Sequence, residues 1–247
     1  MNEKLSSEKI AERVKVAEFA QKLKLEVLYE GKSEEIVFSN VNVNRPGLFL
    51  SGYSGLFPFD RIQIIGESET SYITQMAPDK RLKIFEKFFA YELPCLIIST
   101  NIRPFPETMD AARKFGRPVF RSEKRTSRIF NDIVLYLNDL LAPTESRHGV
   151  LIDIYGVGVL LTGHSGVGKS ETALELVQRG HRLVADDAVI IKYVNDLLVG
   201  TSPPIIRYFM EVRGIGIIDV RSMYGVGAVK LTKVLDLVVE MEPWDDS

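Results

Sequence analysis

The sequence predicts an α/β protein of two domains, and three observations carry that expectation. Helix-period and strand-like segments alternate over roughly the first 130 residues, enough for a core of their own. The segment LAPTESRHG at 141–149 then breaks a helix and gathers polar residues. Beyond it an apolar stretch runs straight into GHSGVGKS at 163–170, and a short helical pattern follows. The extents assigned are 1–130 and 131–247, with the change in composition itself near 142–145.

The elements read in order as follows. In 6–29, Ile10, Val14, Ala17 and Leu23 recur at helical spacing, with Ser7 as a cap. IVFSNVNVNRPGLFLSG and FDRIQIIGES are short apolar or alternating runs broken by Asn, Pro and Gly, which predicts strands and turns. A helix is expected over 78–91, with Pro78 near its start. A buried strand is expected over 96–99, a helix over 106–115 ended by Gly116, a strand over 118–121 and a long helix over 126–141. In the second half, 150–154 and 157–161 flank Tyr155-Gly156 and predict a tight hairpin. VLDLVVEM at 234–241 reads as a strand.

Composition narrows the function classes. The 247 residues are 45% hydrophobic and 26% charged, with a net charge of -2. That balance argues against a nucleic-acid partner. The one cysteine, Cys95, sits in the apolar run LPCLII. A single thiol excludes an internal disulfide scaffold and a Cys-rich metal site, and a buried inert thiol is expected. No apolar run approaches the ~20 residues of a membrane span. The first ten residues, MNEKLSSEKI, lack the apolar centre of a signal peptide. A cytoplasmic protein is expected.

The most specific signal is G-x-x-x-x-G-K-S, matched by Gly163, Gly168, Lys169 and Ser170. His164, Ser165, Gly166 and Val167 complete the loop. Glycines let the backbone curl so that successive N–H groups face an anion, and the helix dipole adds to that attraction. Lys169 supplies charge for terminal phosphates, and the Ser170 hydroxyl can ligate Mg²⁺. The loop alone does not separate a kinase from an ATPase or a GTPase.

Four further groups are candidates. Asp186 and Asp187 follow the apolar RLVA. Carboxylates at a strand end beside a phosphate loop suit metal binding or activation of a hydroxyl, and adjacent ones suit different tasks. His148 precedes the first strand of the second domain and can reach a carboxylate. His181, after Gly180, reads as structural. In EVRGIGIIDV at 211–220, Glu211 can complete a cation site and Arg213 can meet phosphate; a turn with a salt bridge fits equally. YGVGA at 224–228 with Lys230 is a weaker candidate for contact with phosphate or a partner.

RHGVLIDIYGVGVLLTG, the loop through GHRLVADD, and EVRGIGIIDVRSMYGVGAV together resemble the bifunctional HPr kinase/phosphorylase family. AYELPCLII is similar to a further family segment. The resemblance implies an N-terminal Mur-ligase-like domain and a C-terminal P-loop domain similar to the nucleotide-binding core of phosphoenolpyruvate carboxykinase. It implies transfer of a phosphoryl group from ATP or pyrophosphate to a serine of HPr, and the reverse attack of inorganic phosphate on phosphoserine. It also implies Mg²⁺, a homo-hexamer, and response to fructose 1,6-bisphosphate and inorganic phosphate. Carried onto this chain, Asp186 is the base and His148 its partner. Ser170, Asp187 and Glu211 form the metal shell, Lys169 binds donor phosphate, Glu171 supports the site, and Arg213 belongs to a segment tied to the reverse reaction and subunit contacts. His164 replaces a residue that is usually acidic. Family members also continue past the equivalent of Ser247, with a basic segment implicated in the phosphorylase reaction. A small-molecule kinase or ATPase, and a regulatory module without catalysis, are the alternatives.

Overall fold

The structure is a computed structural model that describes residues 11–243. The chain divides into two compact units between Leu141 and Ala142. A boundary at 130/131 would cut the continuous helix Thr126–Leu140, so the first domain extends further than assigned from sequence. Among the described residues no helix is long and apolar enough to cross a membrane.

The first unit runs β1 (Glu12–Lys15), α1 (Val16–Leu23), β2 (Glu26–Tyr29), β3 (Glu35–Phe38), β4 (Val43–Asn44), α2 (Gly47–Leu50), β5 (Ile62–Ile65), α3 (Glu67–Thr74), α4 (Pro78–Phe89), β6 (Leu96–Ile98), α5 (Pro106–Phe115), β7 (Val119–Arg121) and α6 (Thr126–Leu140). Its five-stranded sheet has the order β2-β7-β6-β5-β4. Strands β4 to β7 are parallel and β2 is antiparallel to β7. Both faces are covered. Ile62, Ile64, Ile97 and Phe120 pack with α1 and α6, whereas Ile65, Leu96, Ile98 and Val119 pack with α2 to α5. A doubly covered parallel sheet needs near-continuous apolar strands, and β5 and β6 are buried throughout. Buried Gln63 in β5 is satisfied: its Nε2 donates to the Pro58 and Arg61 carbonyls, and its Oε1 accepts from Asn44. Cys95 is fully buried, and burial pushes its thiol pKa far up. It is the inert thiol expected.

Local chemistry explains the helices that the sequence made legible. Helices α4 and α5 begin with proline at a first-turn position, where no intrahelical N–H is needed. Helix α5 ends on Gly116 at φ 68, which closes the last turn at low steric cost. Two expectations in this unit are corrected, and one helix was not foreseen. The predicted helix over 6–29 is a strand, a short helix and a strand from residue 12 onward; Ser7 lies outside the described residues. Val14 pairs opposite Ile36, and Lys24 at φ 56 stops α1. Tertiary pairing there overrides the helical spacing. The run 47–50, expected among strands and turns, is helical. Helix α3 was missed because ESETSYIT carries no apolar stripe and buries only Glu69 and Ile73.

The second unit runs β8 (Thr144–His148), β9 (Val150–Ile154), β10 (Val157–Gly163), α7 (Lys169–Gln178), β11 (Arg182–Ala185), β12 (Ala188–Val194), β13 (Leu197–Thr201), β14 (Phe209–Val212), β15 (Gly216–Asp219), α8 (Val220–Tyr224), β16 (Thr232–Val234) and β17 (Leu237–Met241). One sheet has the order β11-β9-β10-β17 and another β16-β13-β12-β8; β14 and β15 form a separate ribbon. The hairpin expected around Tyr155-Gly156 is present as antiparallel β9–β10. The polar stretch 141–149, expected to mark the boundary, contributes strand β8, paired with β12 and exposed along its length. The strand expected over 234–241 is interrupted at Leu235-Asp236, where the Asp236 carboxylate accepts the Gly158 N–H at 2.6 Å.

Glu69 anchors the start of α3. Its Oε2 accepts the Gly66 N–H at 3.0 Å and the Arg45 guanidinium at 2.9 Å. Burial pushes its pKa up, but these bonds outweigh burial and hold it below the usual carboxylate value. A depressed carboxyl pKa stabilises the fold above the unfolded value, about 4.3, and the contribution is lost as pH falls through the folded value. Glu69→Gln is therefore expected to cost about 1–2 kcal/mol near neutral pH. Urea denaturation of both proteins should show that gap shrinking below about pH 4.

Candidate active site

The phosphate loop begins where β10 ends. Gly163, Gly166 and Gly168 have φ values of 132, 84 and 101, a region closed to most side chains. Two of these glycines are also sites of close approach. A Cβ on Gly163 would collide with the Met241 carbonyl of β17, and one on Gly166 would collide with the Arg213 guanidinium. The motif glycines thus shape the anion cradle and admit neighbouring chain. Lys169 opens α7 and is 7% exposed. Its Nζ donates to the Gly163 and His164 carbonyls, each at 2.9 Å.

The two adjacent aspartates part company. Asp186 directly follows β11 and is buried at 4% exposure, and Asp187 takes φ 65 with its side chain outward. Aspartate tolerates that left-handed turn better than most residues. The Ser170 hydroxyl donates to Asp186 Oδ1 at 2.9 Å, and the Glu211 backbone N–H donates to Asp186 Oδ2 at 3.0 Å. Burial raises the Asp186 pKa; bonds from Glu211, Ser170 and the Asp187 N–H offset it in part, and the Asp187 charge adds to it. Asp187 Oδ1 instead lies 3.0 Å from His148 Nδ1. The expected pairing of His148 with Asp186 is therefore corrected. The cause is strand β8: its register sets His148 opposite Ala188, the residue after Asp187.

These groups meet in one cleft of about 180 Å³. Ser165, Gly166, Gly168, Lys169, Ser170 and Glu171 line it from the loop and α7; His148, Asp186, Asp187, Glu211 and Arg213 close it from the other strands. Glu171 is exposed in the first turn of α7, where a carboxylate suits the helix dipole. Gly163, His164 and Val167 do not line the cleft. His164 is exposed and contributes its carbonyl, which accepts from Lys169 and from the Val167 N–H. Val150 lines the cleft as well and was missed, because an apolar residue in a buried strand carries no chemical signal. The weaker candidate Lys230 and the histidine read as structural, His181, are both absent from the lining. Lys230 pairs with Asp153 at 2.7 Å, and His181 is buried against the Tyr155 ring at 4.5 Å.

The cleft offers oxygen donors that suit a hard cation. Among the described residues no group of three or more His, Cys, Asp or Glu is arranged to enclose a metal. Mg²⁺ usually needs only one or two protein carboxylates, with water and phosphate oxygens completing its shell. Oxygen donors from Ser170 and Asp186, beside a phosphate loop, fit that pattern.

A strand, a glycine-rich loop and a helix opening on Lys-Ser, with a buried carboxylate on the serine, define a P-loop phosphoryl-transfer domain. Comparison with known proteins narrows the class. Residues 139–247 match the family described as HPr Serine kinase C-terminal domain, and residues 14–137 match HPr Serine kinase N terminus. The HPr kinase/phosphorylase of Peptoclostridium acidaminophilum is 45% identical over 235 residues, covering 95% of this chain and 76% of that protein. The one from Thermoanaerobacter sp. strain X514 is 46% identical over 236 residues, covering 95% and 77%. The solved structure of the HPr(Ser) kinase/phosphatase from Coxiella burnetii is 35% identical, covers 42% of this chain and 66% of that one, and has a TM-score of 0.38. The chain belongs to the HPr kinase/phosphorylase family and is a protein-serine kinase/phosphorylase.

Gly163→Ala is expected to fail twice, through its φ of 132 and through collision with Met241. Equilibrium dialysis should show loss of pyrophosphate binding, and the thermal unfolding midpoint should fall. Gly156→Ala has open space around it. It should cost only about 1–2 kcal/mol of backbone strain and leave binding intact.

Proposed function

We propose that this cleft carries the family reaction with ATP or pyrophosphate as donor, and that Asp187 rather than Asp186 handles the proton. Family membership gives the reaction itself: reversible phosphorylation of a serine of HPr, and phosphorolysis of phosphoserine-HPr, in catabolite regulation. The observation that carries the residue assignment is the parting of the two aspartates. Asp186 faces inward and is committed to Ser170 and the Glu211 N–H. Asp187 faces outward, exposed, with His148 holding its carboxylate.

In the kinase direction the loop N–H groups and Lys169 hold the donor phosphates, and Lys169 exchanges its bonds to the loop carbonyls for phosphate oxygens. Asp187 accepts the proton of the HPr serine as its oxygen bonds to phosphorus and the bond to the leaving phosphate breaks. His148 orients Asp187 and stabilises its charge. Arg213, over Gly166, neutralises charge on the transferred group. In the reverse direction a phosphate oxygen attacks the phosphoserine phosphorus, Asp187 returns the proton to the serine oxygen, and pyrophosphate leaves. Ser170 and Asp186, with Glu211 beside them, would hold Mg²⁺, which supplies charge neutralisation on the phosphate oxygens. Phosphoryl transfer depends chiefly on such positioning and neutralisation.

Asp187→Asn is expected to lower kcat for HPr phosphorylation by about 10²–10⁴-fold while Mg²⁺-dependent ATP binding persists. Asp186→Asn is expected to weaken that binding itself. Radiolabel transfer and isothermal titration, run on both variants, separate the two roles. The reverse pattern would return the base to Asp186.

A further inference from the structure

The β14–β15 ribbon presents exposed apolar side chains next to a polar cleft. Glu211 in β14 pairs across the ribbon with Ile217 in β15. Directly opposite residues share a face, with Cβ atoms about 5 Å apart. Glu211 lines the cleft, so Ile217 stands at its edge. Ile217 is 74% exposed, and Ile215 in the connecting turn is 69% exposed. Helix α8 packs against both strands and adds exposed Met223. Clustered exposed apolar residues at a functional cleft mark interaction surfaces.

We propose that Ile215 and Ile217 form an apolar lip on the acceptor side of the cleft, against which the surface of HPr around its target serine docks. The inference rests on the phosphotransfer reading above. Only a methylene separates a seryl hydroxyl from its backbone. To bring that hydroxyl to Asp187, the acceptor protein must enter the cleft mouth and press on its rim. The lip lies on the correct side for this. Glu211 is tied through Asp186 to Ser170, at the end of the loop that faces the terminal phosphates. The nucleoside leaves the phosphate chain at its other end, so the lip faces the incoming hydroxyl. Apolar anchors at such a rim supply much of the binding energy of a protein contact.

The test is steady-state kinetics of HPr phosphorylation by the Ile215→Ser, Ile217→Thr double variant, with Leu198→Ser as a control for an exposed apolar residue elsewhere. Threonine keeps the β-branch that suits a strand. The expected result is a KM for HPr raised about tenfold, with an unchanged KM for ATP and an unchanged thermal midpoint; the control should behave as wild type. An unchanged KM for HPr overturns the inference. So does a rise in the KM for ATP alone, which would make the lip a nucleoside contact, or a changed sedimentation mass with KM for HPr intact, which would make it a contact between copies. Wild-type protein that transfers nothing to HPr would overturn the functional reading and this inference with it. Wild-type transfer with no effect of the double variant would overturn this inference alone.

Discussion

The hydrogen bond from the Ser170 hydroxyl to buried Asp186 ties together segments that are distant in sequence. Ser170 sits in the first turn of α7, Asp186 directly follows β11, and the other oxygen of Asp186 holds the backbone of β14 through the Glu211 N–H. Burial alone makes a carboxylate costly to ionise, and donors on both oxygens offset that cost. Without Asp186 the loop helix, the strand end and the ribbon would lose their common anchor. The ribbon is also what carries Arg213 to the loop glycine Gly166.

In the proposed reading, the bonds that hold Asp186 leave Asp187 to handle the proton. The left-handed turn at Asp187 points its carboxylate out of the strand end, where His148 meets it. Two neighbouring carboxylates on a regular strand would face opposite sides of a sheet. Here the turn sends one inward, to Ser170 and the Glu211 N–H, and leaves the other exposed beside His148, with both at the same cleft. That division suits a reaction in which one carboxylate must stay charged near a cation and the other must exchange a proton.

The loop is braced from behind as well. Gly163 pairs with Met241, and Thr162 donates to the Val239 carbonyl at 3.3 Å, so β17 runs directly beside the start of the loop. In the first unit the same economy appears at α3, where Glu69 caps the helix and engages Arg45.

The loop, its lysine and serine, and the proline-started helices α4 and α5 were determined by the sequence, because each rests on chemistry within a few neighbouring residues. The glycine pattern forces the cradle, and proline and glycine punctuate the helices. Helix α3 was illegible because its stability comes from a cap and an ion pair rather than from an apolar stripe. Strand β8 read as part of a polar boundary because its residues are exposed and gain their order only from pairing with β12. That pairing set His148 on Asp187, and the family resemblance, which carries residue identities but no register, had paired it with Asp186. Long-range register and the sign of one backbone dihedral decided which carboxylate stands exposed beside His148. Both depend on contacts between distant segments, which local sequence patterns do not encode.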